Sequence, residues 1–209
     1  MSRSPLSRFA GPLALGAGAV LLIQQFVMAS FLDRTRIEAT MADPLFVPAA
    51  VVYFIAFCGL LAALVAIYAR EADEAGVFGA VAFLAALVGT MFLAGDLWFE
   101  AFAVPWLGDV APPSLHLAGG MLMLGAFSSY VLFAVGWILF GLASIRARVF
   151  PLPISIALIV GGLIGFQAAM PPFAIPLALA LIALGIWLVR SPVVAASHRR
   201  SSADVLATA

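Results

Sequence analysis

Two acidic residues stand out in an otherwise apolar stretch, FLAGDLWFEAFAVPWLGDVAPPSLH at residues 92–116. Asp96 and Glu100 are four residues apart, so a helix would place both on the same face, and His116 follows close behind. Carboxylates and an imidazole are ligands that divalent transition ions accept. A carboxylate pair alone can bind a cation, exchange a proton or, when the two pKa values differ, perform acid–base catalysis. This segment is therefore the first candidate for a site.

Like charges at this spacing repel each other, so the pair needs a neutralising partner. Arg34 and Arg36 are one choice, and ion pairs with them would tie the first loop to this helix in a purely structural role. A bound cation or proton is a second choice. A metal ion held by Asp96, Glu100 and His116 is a third. No nucleophile motif accompanies the pair, which disfavours acid–base catalysis.

The composition indicates a membrane protein. Of 209 residues, 65% are hydrophobic and 10% are charged, and the mean hydropathy is +1.19, far from the values of a soluble domain. The formal net charge of zero argues against a nucleic-acid partner. Lysine is absent, which excludes Schiff-base chemistry. The single cysteine, Cys58, cannot form an intramolecular disulfide, and its apolar surroundings predict a small buried side chain.

Six stretches are long and apolar enough to cross a bilayer, which takes roughly 20 residues in a helix. They cover residues 9–31, 48–69, 77–102, 117–144, 153–170 and 173–190. The sequence therefore predicts an all-α polytopic membrane protein, a six-transmembrane-helix bundle that forms one domain over residues 1–190. Residues 191–209 are rich in Ser and Ala and are predicted to be a disordered cytoplasmic tail.

The arginines predict the orientation. With both termini on the same side, that side holds most of them, and only Arg34 and Arg36 fall on the other side. The larger group is Arg3, Arg8, Arg70, Arg146, Arg148, Arg190, Arg199 and Arg200. Because cytoplasmic loops carry the excess of basic residues, we expect both termini to be cytoplasmic, in a bacterial plasma membrane.

Small residues predict how the helices pack, since they let helix backbones approach closely in a bilayer. The first span has Ala10, Ala14 and Gly18, and the fifth has Ala157, Gly161, Gly165 and Ala169. In the third span, at 100° per residue, Ala82, Ala85, Ala86 and Gly89 share one face, and Val81, Leu84, Leu87, Val88, Met91 and Phe102 lie opposite. Asp96 and Glu100 continue the small-residue face, so they are predicted to project into the bundle.

The depth of these acids predicts an outward-facing polar pocket. Asp96 would lie roughly 28 Å from the inner end of its helix, near Trp98 and Trp106, which are typical of an interfacial aromatic belt. We expect aliphatic packing to seal the pocket below. Gln24 and Gln25 either hydrogen-bond between helices or line the pocket. The full set of predicted ligand-binding or ion-binding residues is Asp96, Glu100, Arg34, Arg36, Trp98, Trp106, His116, Gln24 and Gln25.

These features predict a small integral membrane protein that binds or transports a small ligand or ion through this pocket, without an organic cofactor. One alternative is an accessory subunit whose acidic patch only docks a partner or holds its own loop, and the expected partners are the lipid bilayer and a protein partner or further copies of the chain. Another is a metal-assisted membrane enzyme. In span count and in its small-residue first helix (Ala10, Ala14, Gly18), the chain resembles the substrate-binding subunits of modular vitamin transporters. That resemblance implies a six-span fold and no site residue.

Overall fold

The computed structural model describes residues 5–32, 40, 43–111 and 120–191. All the regular secondary structure in these ranges is helical. The α-helices are α1 (Ala10–Phe31), α2 (Phe46–Trp98), α3 (Val104–Val110), α4 (Met121–Ala147), α5 (Leu152–Ile164) and α6 (Ile175–Arg190), with a π-helix at Phe99–Ala103 and 3-10 turns at Pro5–Arg8 and Gly165–Gln167.

Three helical stretches are long and apolar enough to cross a membrane: α1, the continuous segment Phe46–Val110, and α4. The segments Leu152–Gln167 and Ile175–Arg190 are shorter apolar helices. These findings confirm the predicted all-α fold and support the prediction of a membrane protein. The six-span count and the orientation stay predictions.

The long helix α2 is a hairpin rather than a straight rod. Gly76 has φ 59° and ψ −155°, a conformation that residues with a Cβ atom avoid, and it separates a first arm (46–75) from a second arm (77–98). The rings of Phe54 and Phe102 have centroids 6.3 Å apart, whereas a straight helix would separate them by about 72 Å. Tyr68 and Phe83, on either side of the turn, stack at 4.2 Å. The two arms therefore lie side by side and antiparallel.

Small residues lie where the helices approach most closely. The hairpin α2 packs on α4 and α1, α1 packs on α6, and α5 joins α4 to α6. A Cβ atom added to Gly89 would lie 2.3 Å from the carbonyl oxygen of Leu132, and one added to Gly136 would lie 2.5 Å from Cα of Ala86. One added to Gly18 would lie 2.8 Å from the carbonyl oxygen of Ala178. The predicted small-residue faces are thus contact faces.

The predicted outer face of the second arm is exposed except at Leu87, which is partly buried and packs against the core. Val81, Leu84, Val88 and Met91 face away from the bundle, and Phe102 in the π-helix does too. The expectation for Cys58 is wrong, because its side chain is exposed. Phe57, Leu60 and Leu64 occupy the inward face of the first arm. Cys58 follows Phe57 directly, about 100° further around the helix, and therefore lies off this face.

A column of aromatic rings fills the centre of the bundle. Phe57 and Phe133 have ring centroids 5.7 Å apart, Phe133 and Trp137 are separated by 6.2 Å, and Trp137 and Phe140 by 5.9 Å. All four side chains are fully buried. Aromatic rings therefore seal the interior together with the aliphatic side chains that the sequence predicted.

The bundle has two chemically different ends. At one, the Arg70 guanidinium lies 3.5 Å from the carbonyl oxygens of both Ser7 and Ser191, which brings the start of α1, the Gly76 turn and the end of α6 together. We call this the termini end. The opposite end, which carries Asp96 and Glu100, is the acidic end.

Candidate functional site

The acidic end is built on an irregular turn of helix. Asp96 lies in the last α-helical turns of α2, and Glu100 lies in the π-helix Phe99–Ala103. The amide of Val104 donates to the carbonyl of Phe99, five residues back. The next residue, Pro105, has no amide hydrogen to continue the α-helical pattern. Single π-turns inside α-helices frequently occur at functional sites.

Asp96 contacts a tyrosine rather than a cationic side chain. Tyr130, on α4, is the side chain that interacts electrostatically with the Asp96 carboxylate. The second carboxylate oxygen, Oδ2, is buried and has no hydrogen-bond partner within the described part of the chain. Part of the Asp96 carboxylate therefore faces the interior unsatisfied.

Glu100 completes a cluster of four oxygen-bearing side chains. Its partly buried carboxylate lies within electrostatic range of Asp96, Tyr130 and Tyr53. The cluster thus draws on both arms of α2, on the π-helix and on α4. Carboxylate and phenol oxygens are hard ligands, of the kind that Mg²⁺, Ca²⁺ and Mn²⁺ prefer.

Three predicted site residues, Arg34, Arg36 and His116, lie outside the described residues. The ion pairs expected between these arginines and the acids stay a prediction, and so does the metal site that includes His116. Within the described ranges, no group of three or more His, Cys, Asp or Glu side chains could hold a metal ion.

The two tryptophans are on the outside of the bundle. Trp98 is 51% exposed and Trp106 is 61% exposed, and the Trp98 ring packs on Phe102 with centroids 5.8 Å apart. Trp98 follows Asp96 by two residues, about 200° around the helix. The structure therefore places the tryptophans where an interfacial aromatic belt would be, and does not bring them into the cluster of acids and tyrosines.

The two glutamines are buried and hydrogen-bonded between helices. Gln24 Nε2 donates to the carbonyl of Ala49 at 2.7 Å. Gln25 Nε2 donates to the Tyr53 hydroxyl, which in turn donates to the carbonyl of Ala168. The amide of Ala174 donates to Gln25 Oε1 at 3.1 Å. Of the two roles that the sequence allowed, this geometry favours the interhelical one, and the network also holds Tyr53 in place beside Glu100.

Sequence reasoning missed Tyr130, Tyr53 and a second polar pair, Glu71 with Ser144. A signal for Tyr130 existed, because Tyr130, Phe133 and Trp137 recur at helical spacing on one face of α4. Glu71 lay in the charged run READEAG, which reads as a solvent-exposed turn. Its carboxylate is instead fully buried, with Ser144 Oγ 2.9 Å from Oε2.

No protein-family model, curated protein or solved structure matches this chain. The site is therefore interpreted from its own geometry.

Proposed function

We propose that this chain is a six-span protein of a bacterial plasma membrane, with both termini in the cytoplasm, that binds a small cation at its outward-facing acidic end and carries it or responds to it. The ligands would be the carboxylates of Asp96 and Glu100, with Tyr130 orienting the first of them.

One observation carries the proposal: two carboxylates one turn apart face a tyrosine and each other, and Asp96 Oδ2 is buried without a partner in the described chain. Ionisable groups that face the interior of a membrane bundle are costly unless they are paired, and they commonly mark ion pathways. A cation between Asp96 and Glu100 would relieve their repulsion and supply the missing partner of Oδ2.

The proposed topology has separate support. The hairpin at Gly76 turns one continuous helix into two antiparallel arms, and each arm is long enough to cross the roughly 30 Å apolar core of a bilayer. The termini end carries the exposed residues Arg8, Arg146, Arg148 and Arg190, as the cytoplasmic side of a membrane protein does.

Binding of Mn²⁺ tests the site directly. The full chain in lipid nanodiscs would be titrated with Mn²⁺, with the free ion followed by electron paramagnetic resonance and Mg²⁺, Ca²⁺ and Na⁺ added as competitors. We expect one ion for each chain, and at least tenfold weaker binding in the Asp96→Asn/Glu100→Gln double variant, since each carboxylate contributes charge.

Asp109→Asn is the matched control, because Asp109 is an exposed acid at the same end and its loss should leave the affinity unchanged. Competition by Na⁺ alone would assign a monovalent site, and competition by Mg²⁺ or Ca²⁺ a divalent one. The cation proposal fails if none of these ions binds, or if the double variant binds as well as the original chain. Uptake of the competing ion into proteoliposomes would then separate a carrier from a binding protein.

A further inference from the structure

Glu71 is the one acidic or arginine side chain in the described ranges that is completely buried. Its burial follows from helical periodicity, since Leu60, Leu64 and Ile67 precede it on the same inward face of the first arm of α2. The buried face simply continues into the charged run near the Gly76 turn. Glu71 therefore lies against α4, where its partner is Ser144.

The charged side chains described near Glu71 either contact backbone carbonyl oxygens or are exposed. The Arg70 guanidinium, from the same arm, lies against the carbonyl oxygens of Ser7 and Ser191. The other charged side chains described at this end are exposed: Arg8, Asp73, Glu74, Arg146, Arg148 and Arg190. Ser144 is thus the only hydrogen-bonding side chain that the described structure provides for Glu71.

The hydrogen bonds fit a neutral acid better than a carboxylate. Ser144 Oγ lies 2.9 Å from Glu71 Oε2 and 3.0 Å from the carbonyl oxygen of Phe140. A hydroxyl has one hydrogen, so Ser144 can make a separate two-centre hydrogen bond to each oxygen only if Glu71 supplies the second proton. The acid O–H then donates to Ser144 Oγ, and Ser144 donates to Phe140.

Desolvation leads to the same conclusion. Glu71 Oε1 is buried and has no partner in the described chain. An ionised carboxylate with a single hydrogen bond in a buried helix interface is unfavourable, and such groups neutralise instead. In the neutral acid, only a carbonyl oxygen stays unpaired, which is a smaller penalty than an unpaired charge.

We propose that Glu71 and Ser144 form a proton-binding site at the termini end, and that this site holds one proton at neutral pH. It is independent of the proposed cation site. Tyr130, the partner of Asp96, and Ser144 are fourteen residues apart on α4, about 21 Å along the helix. The buried rings of Phe133, Trp137 and Phe140 lie between them.

Infrared spectroscopy of the full chain in nanodiscs tests this proposal. At neutral pH we expect a carboxylic-acid carbonyl band that is lost in Glu71→Gln and retained in Glu74→Gln. Glu74 is the matched control, because it is an exposed glutamate on the same arm. Because the proton lies on the oxygen that faces Ser144, the carbonyl Oε1 is free, and the band should have the high frequency of a carbonyl without a hydrogen bond. Ser144→Ala should shift this band.

Identical neutral-pH spectra of the original chain and Glu71→Gln in this region would overturn the proposal. If Glu71→Gln does not fold, a second variant keeps the test available. The chain has four glutamates, so Glu38→Gln/Glu74→Gln/Glu100→Gln leaves Glu71 as the only one. Labelling its carboxyl carbon with ¹³C in cell-free synthesis should move the acid band to lower frequency. The absence of a labelled acid band at neutral pH would also refute the proposal.

Discussion

The acidic end and the termini end bury the same chemical group in different ways. At the acidic end, Asp96 and Glu100 are partly buried and lie near each other and near Tyr130. At the termini end, Glu71 is alone, fully buried and hydrogen-bonded to Ser144. Two close carboxylates concentrate negative charge and suit a cation, whereas a single acid in a buried interface suits a proton. The number of neighbouring acids and their exposure, rather than the residue type, distinguish the two sites.

The packing between the two sites keeps them apart. Phe133, Trp137 and Phe140 fill the interior along α4, and Trp137 and Thr90 are hydrogen-bonded within this region. Trp137 Nε1 donates to Thr90 Oγ1 at 3.1 Å, and Thr90 donates to the carbonyl of Ala86 at 2.7 Å. With these rings between them, the proposed cation site and the proposed proton site are expected to exchange their ions with opposite sides of the bundle.

The largest effect is expected where α2 and α4 touch, because α4 carries the tyrosine and the serine on which the two sites depend. In Gly89→Ala, the new Cβ would lie 2.3 Å from the carbonyl oxygen of Leu132, and backbone cannot move aside as a side chain can. Overpacking of this kind typically costs about 1–3 kcal/mol. Unfolding by sodium dodecyl sulfate in mixed micelles measures the loss.

Gly95→Ala is the control for that substitution, since nothing lies within 4 Å of a Cβ there. We expect Gly89→Ala to weaken Mn²⁺ binding and to alter the Glu71 infrared band together. Equal unfolding free energies for the two variants would show that the close contact of α2 with α4 at Gly89 does not stabilise the bundle that positions the two proposed sites.

Packing faces could be predicted from the sequence, because a bilayer imposes a simple rule on helix surfaces. Small residues at helical spacing predicted that Ala82, Ala86 and Gly89 would be buried and that Val81 and Leu84 would be exposed. The same periodicity predicted that Asp96 and Glu100 point inward, and in the structure Asp96 interacts with Tyr130 and has a buried carboxylate oxygen.

Partners could not be predicted in the same way, because they come from distant parts of the chain. Nothing in the local sequence pairs Asp96 with Tyr130 or Glu71 with Ser144, since the long-range packing of α2 on α4 decides both. The run READEAG has the composition of an exposed turn. The buried face of the helix nevertheless extends one turn into this run, as far as Glu71. The π-helix was not predicted from the sequence either, although Pro105, which has no amide hydrogen, explains why the α-helical pattern changes there.

A second substitution sharpens the distinction between structural and ligand-binding polar residues. Tyr53→Phe removes the hydroxyl that joins Gln25 to the carbonyl of Ala168, and it leaves a buried amide donor without an acceptor. We expect a loss of about 1–2 kcal/mol in unfolding free energy, near the upper values for hydrogen bonds within membranes. Tyr68→Phe is the control, because Tyr68 contributes a stacked ring rather than a buried hydroxyl network. Similar losses in both variants would contradict the structural role of the Gln25–Tyr53 pair.

A smaller effect is expected from Tyr130→Phe, which tests whether Tyr130 orients Asp96. If the contact between Tyr130 and Asp96 contributes about 0.6–1.7 kcal/mol, as a polar contact in a membrane protein does, its loss corresponds to about a threefold to twentyfold weaker Mn²⁺ affinity. The Glu71 infrared band should not change, because the two sites are separate. Unchanged Mn²⁺ affinity would show that Tyr130 does not contribute to the cation site. A change in the Glu71 band would show that the two sites are not independent.

The smallest effect is expected for Glu71→Gln. Glutamine has nearly the shape of a neutral glutamic acid, and its Nε2 can donate to Ser144 as the acid O–H does. If Glu71 already holds a proton, the unfolding free energy of the protein at neutral pH should change by less than about 0.5–1.5 kcal/mol, the contribution of one hydrogen bond, because the bond to Ser144 is kept. A marked gain in stability would instead mean that the substitution had removed a buried charge.

Glu100→Gln is expected to change the unfolding free energy, and the direction should depend on Mn²⁺. Without a cation the substitution should stabilise the protein, because it relieves repulsion from Asp96. With Mn²⁺ the variant should gain less stability than the original chain. If the effect of Glu100→Gln on the unfolding free energy depends on Mn²⁺ and the effect of Glu71→Gln does not, then Glu100 belongs to a cation site and Glu71 to a separate proton site.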